Sequence, residues 1–111
     1  MFSGVTGFTS DLNNWDVSQV TKTNSMFSSA ASFDSDLNKW NTAKVNAMNK
    51  MFQSATSFNG DVSDWNTAKV EKMANQFEGA TSFNVDLSKW DVATVSEDSQ
   101  VVTRASVVVV W

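Results

Sequence analysis

The chain has 111 residues, a formal charge of −4 and 41% hydrophobic residues, enough apolar material for a core within one domain's length. It contains no His and no Cys, which excludes imidazole acid–base chemistry, thiol nucleophiles, disulfides and thiolate or imidazole zinc sites. Its eight basic residues are scattered among twelve acids. They form no stripe that could track a phosphate backbone, so nucleic acid is not an expected partner.

Read from its first residue, the chain is periodic. Trp15, Trp40, Trp65 and Trp90 recur every 25 residues, as do Phe8, Phe33, Phe58 and Phe83, and Asp11, Asp36, Asp61 and Asp86. Val20, Val45, Val70 and Val95 keep the same interval, and so do Phe2, Phe27, Phe52 and Phe77. Such registered columns are the signature of a repeat architecture. The expected organisation is a single repeat array over 1–111. Residues 1–7 are a partial repeat, and 8–32, 33–57 and 58–82 are full repeats. Residues 83–100 form a degenerate fourth repeat, and 101–111 are a tail or cap. Met1 shares a column with Met26 and Met51, so the chain reads as a fragment of a longer array.

Each repeat divides into two halves. The first, exemplified by Phe58 to Trp65, suits a tight turn followed by a short strand. The second carries Val45, Met48, Met51, Phe52 and Ala55, at steps of 3, 3, 1 and 3, the stripe of an amphipathic helix. Asp16, Asn41 (or Thr42), Asn66 and Asp91 stand where N-caps are expected. A unit this small cannot offset its own ordering entropy, so neighbours must stack. The expected fold is therefore an α/β solenoid, leucine-rich-repeat-like, with one short parallel strand and one helix per 25-residue coil and about four coils. A right-handed parallel β-helix is the alternative. Thr23 and Asp98 replace an expected Met, and Gln76 stands in the column of Met51.

The repeated polar columns supply the candidate sites. Stacked indoles could recognise sugars, or the Trp column could close the core with each N–H bonded to a neighbouring coil's carbonyl. The Asp column would suffer repulsion between levels unless turn N–H groups donate to the carboxylates. A weaker alternative makes Asp11, Asp36, Asp61 and Asp86 calcium ligands. Apart from that alternative, no metal or cofactor is expected. The Met columns read as core. Catalysis by paired carboxylates is not expected, because it needs two differently tuned acids at one site and every repeat offers the same Asp. Asn14, Lys39, Asp64 and Lys89 vary within one column beside the Trp and are the expected contact surface. The apolar run Val107–Val110 could cover one end of the array or pair with another chain. Both ends favour self-association.

The residues Trp40-Asn41-Thr42-Ala43-Lys44-Val45, Met48, Met51-Phe52, Ala55, Phe58-Asn59 and Asp61, together with Trp15-Asp16-Val17-Ser18-Gln19-Val20-Thr21, resemble the BspA-like leucine-rich-repeat surface proteins, with their mycoplasma-type surface lipoprotein repeat. The resemblance covers about residues 1–97. It implies a leucine-rich-repeat-like solenoid on a cell-surface or secreted protein. It further implies a non-enzymatic role in adhesion, binding protein or glycan, with no membrane insertion by this segment. The alternative is a structural, self-associating solenoid, an oligomer or filament without a specific ligand.

Overall fold

The computed structural model describes residues 2–96. Among them most buried side chains begin or end a tight turn. Main-chain hydrogen bonds from residue i+3 back to residue i close Leu37–Trp40, Thr42–Val45, Met48–Met51, Phe52–Ala55 and Ala55–Phe58. All of these residues are buried. The same turns recur at Leu12–Trp15, Val17–Val20, Val62–Trp65, Thr67–Val70, Phe77–Ala80 and Leu87–Trp90. Each of the five turns between buried residues sends its two ends inward and lifts the two residues between them toward solvent. The result is a compact stack of turn-built 25-residue units.

This corrects the expected α/β solenoid and also its β-helix alternative. No helix is present among the described residues, and strand character is confined to the isolated parallel bridges Lys22–Ala47 and Ala47–Lys72. The reason lies in how the backbone donors are divided. In an α-helix every interior N–H bonds four residues back within its own segment. Here alternate N–H groups leave the unit. Thr23, Ser25, Phe27 and Ser29 donate to the carbonyls of Ala47, Asn49, Met51 and Gln53 in the next unit, at 2.7–2.9 Å. Met26, Ser28 and Ala30, between and beyond them, donate three residues back within their own turns. Met48, Lys50, Phe52 and Ser54 repeat the pattern onto Lys72, Ala74, Gln76 and Glu78.

The backbone conformation enforces that division. Ser25, Lys50 and Asn75 have φ of 55–57°, and Gly4, Ser29, Ser54 and Gly79 have φ of 57–75°. A left-handed residue cannot propagate a right-handed helix. In the third position of a four-residue turn it is what type II geometry requires. The spacing of 3, 3, 1 and 3 is therefore a spacing of consecutive turns. A β-helix would need continuous parallel ladders between coils, and among the described residues the pairing is limited to the two isolated bridges.

Three aromatic ladders fill the interior. Phe27, Phe52 and Phe77 stack at 5.5–5.6 Å, Phe33, Phe58 and Phe83 at 5.7–5.8 Å, and Trp40, Trp65 and Trp90 at 6.0–6.1 Å. The two Phe columns approach each other more closely still, at 4.1 Å for Phe52 and Phe58, across the boundary between successive repeats. Offset aromatic pairs add about 0.5–1.5 kcal/mol each beyond the area they bury, so repetition of the same residue binds one level to the next. The methionines Met26, Met48, Met51 and Met73 join this core, as their columns led one to expect, though they do so from turns. The proposed tail or cap at 101–111, Asp98 and the Val107–Val110 run lie outside the described residues.

Candidate binding surface

The expected N-caps do a related job. Asp16, Asn41, Asn66 and Asp91 each accept the N–H two residues on, from Ser18, Ala43, Ala68 and Ala93, at 3.0–3.1 Å. These are Asx turns. They open the short turn that follows. The two hydrogen bonds that Ser18 gives Asp16, its hydroxyl first and then its N–H, hold that carboxyl below the usual carboxylate range.

The Asp column is organised in the same way. Asp11, Asp61 and Asp86 accept the N–H groups of Asn13, Ser63 and Ser88 at 2.9–3.0 Å, and Asp36 accepts from Asp61 in the next unit at 2.9 Å. The Ser88 N–H, then its hydroxyl, lower the Asp86 carboxyl. Backbone dipoles thus face the charge at every level. No group of three or more His, Cys, Asp or Glu able to hold a metal ion occurs among the described residues.

The Trp column is core over most of its length. Trp40, Trp65 and Trp90 are buried, and each indole N–H donates to the carbonyl 28 residues earlier, on Leu12, Leu37 and Val62, at 2.8–2.9 Å. Trp15 differs. It is 46% exposed and packs against Phe2 at 5.8 Å; Val5 is the other large exposed hydrophobic residue among those described.

Asn14, Lys39, Asp64 and Lys89 are all exposed and stack in one column. The Lys39 ammonium donates to Asn14 Oδ1 at 3.3 Å, and Lys89 pairs with Asp64 Oδ1 at 3.1 Å. Asn38 Nδ2 donates to Asp64 Oδ2 at 3.0 Å, and that bond, followed by Lys89, lowers the Asp64 carboxyl. Much of the polar capacity of this column is spent between its own levels.

A second surface has more to offer and was not apparent in the sequence. Lys22, Asn24, Asn46, Ala47, Asn49, Glu71 and Lys72 enclose an open polar groove of about 350 Å³. Its floor is the bridged column Lys22–Ala47–Lys72. The backbone there is satisfied between units: Thr23 N–H donates to Ala47, Met48 N–H to Lys72, Asn46 N–H to Thr21, and Glu71 N–H to Asn46. Asn24 Oδ1 accepts the Asn49 N–H at 2.9 Å, and Asn49 Oδ1 accepts the Ala74 N–H at 2.7 Å. Each amide is thereby oriented, with its Nδ2 donors left over. The groove presents carboxamide and ammonium donors around one carboxylate, a set that suits carboxylates, sulfates or sugar hydroxyls. The signal in the sequence was the polar pair Asn24 and Asn49, 25 residues apart. Read as the solvent face of a helix, they carry no meaning; as inter-unit acceptors they line a groove.

Fold and surface together define a repeat protein of stacked 25-residue units that presents polar side-chain columns to solvent. The chain belongs to DUF285, a family of Mycoplasma proteins of unknown function, whose match covers residues 1–109. That match supports the mycoplasma family and does not confirm the narrower BspA-like leucine-rich-repeat membership. No curated protein and no solved structure matches the chain. Among the described residues no helix is long and apolar enough to cross a membrane.

Proposed function

We propose that this chain is a non-enzymatic repeat module, displayed at the cell surface or secreted, that binds protein or glycan through the outward side chains of its stacked units. One observation carries the reading: in the groove between Lys22 and Lys72 the main chain is bonded between units, while ammonium and amide donors remain directed outward. A surface of that kind recognises by side chains. It offers no bare strand edge for a partner to extend. The likeness of the Trp15–Thr21 and Trp40–Asp61 motifs to the BspA-like surface repeat supports the adhesive role and the extracellular placement.

The test is binding of the purified chain to a glycan array and to purified host-surface proteins. A Lys22→Ala, Lys72→Ala variant with an unchanged melting temperature should lose at least about tenfold in affinity. Equal binding by the variant would place recognition elsewhere, and no binding to either class would sink the reading. Antibody labelling of intact cells checks the compartment.

A structural self-associating array without a specific ligand is the second reading. It is favoured by the exposed Trp15 and Val5 on the first unit, flanked by Phe2 and Phe8. Solution size against concentration at high salt, for the wild type and a Trp15→Ser variant, separates it from the first: association that persists in salt and is lost in the variant supports the end-to-end array.

A further inference from the structure

The formal charge of −4 conceals a segregation imposed by the repeat. Residues 9–16 and their copies at 34–41, 59–66 and 84–91 carry eight aspartates and two lysines. Residues 19–28, 44–53 and 69–78 carry five lysines and two glutamates. Because every unit stacks on the next in register, one side of the stack is an acidic column system and another is basic. Of the five lysines, Lys44 is engaged with Gln19 at 2.7 Å. Lys22, Lys50, Lys69 and Lys72 have no partner among the described residues. The aspartates at 11, 36, 61 and 86 use one oxygen, Oδ1, on a backbone N–H, which leaves Oδ2 for an external donor.

We propose that the partner of the basic groove is the acidic face of a second copy of this chain, joined side by side. Charge complementarity is one ground, and commensurate spacing is the other. Both faces are generated by the same 25-residue step, so their levels correspond one to one, with spacings as close as the 5.5–6.1 Å of the three aromatic ladders. Lys22 and Lys72 are two units apart, as are Asp11 and Asp61, and Asp36 and Asp86. An ammonium column laid along a carboxylate column from another copy therefore meets a carboxylate at every level it spans. Another anionic polymer would match that step only if its own repeat happened to agree. The contact joins two different faces, so it is heterologous and leaves each end copy able to accept another. It is distinct from the end-to-end association that Trp15 would mediate. It rests on the reading of the chain as a binding module and names the partner.

The experiment is sedimentation velocity of the full chain across a concentration series, at about 50 mM and about 500 mM NaCl. The wild type should associate at the lower salt and weaken by about tenfold or more at the higher, since exposed pairs are screened beyond a Debye length. Two variants complete the test. One carries Lys22→Gln, Lys50→Gln, Lys69→Gln and Lys72→Gln. The other carries Asp11→Asn, Asp36→Asn, Asp61→Asn and Asp86→Asn, which keeps every Oδ1 acceptor. Each variant alone should be monomeric, with its fold checked by its melting curve. An equimolar mixture should form heterodimers and stop there. A wild type that is monomeric at low salt overturns the proposal, as does association that strengthens with salt or persists in either variant. Binding of polyglutamate or heparin by a strictly monomeric wild type would overturn it too, while leaving the binding-module reading intact.

Discussion

Gln76 is the least comfortable side chain in the core. It is fully buried in the column of Met26 and Met51, its Nε2 reaches the sulfur of Met48 at 3.0 Å, and its Oε1 has no partner. A buried acceptor left unpaired costs about 1–3 kcal/mol. Gln76→Met should therefore raise stability by about that amount in urea titration. Thr23 is a milder case in the column of Met48 and Met73. Its hydroxyl is buried and unpaired, and it borders a crevice with Val17, Val20 and Trp40 that has no room for water. Gly60 makes the opposite demand. A Cβ there would run into the Ser35 carbonyl and lie 2.8 Å from the Phe58 ring. Gly60→Ala should cost about 1–3 kcal/mol, as overpacked sites do, read from the same titration. The carboxylates at 16, 64 and 86 are lowered by their hydrogen-bond donors. A depressed folded-state value means stability that is present above the unfolded value and lost as pH falls through the folded one. The melting temperature should hold level down to about pH 5 and decline below about pH 4, and Asp16→Asn should shallow that decline.

At the scale of the element, the turn run of residues 23–30 and its copies replaces the expected helix. Its apolar spacing was fully legible in the residues, and the buried positions are those the pattern names. What the spacing could not distinguish is whether three-residue steps belong to a helix or to consecutive turns, since both return the chain to the core. Local signals were weak: the left-handed positions hold Ser25, Ser29, Lys50, Ser54 and Asn75, and Gly only at 4 and 79. Gly79 has φ of 73°, and a Cβ on it would sit 3.2 Å from the Ser54 hydroxyl. Gly79→Ala should destabilise by roughly 1–2 kcal/mol, the strain of a left-handed residue carrying Cβ, measured by thermal melting. The same alanine within a true helix would be stabilising, so the sign of the effect reports which element is present.

For the molecule as a whole, stability resides between levels, in three aromatic ladders and in the main-chain bonds from each unit to the next. The four column aspartates are met by backbone N–H groups, so the melting temperature should be the same in chelator and in millimolar calcium; a rise with calcium would revive the Asp column as a metal site. The sequence by itself determined the 25-residue period, the inward columns of Phe, Trp, Met and Val, and the chemistries that a chain without His or Cys cannot perform. Those are properties of residue identity and spacing. Whether a backbone donor serves its own turn or the neighbouring unit was decided by the tertiary structure alone, because that choice depends on which carbonyl the next unit brings within reach. The loss of the helix and the groove between Lys22 and Lys72 both follow from that one allocation.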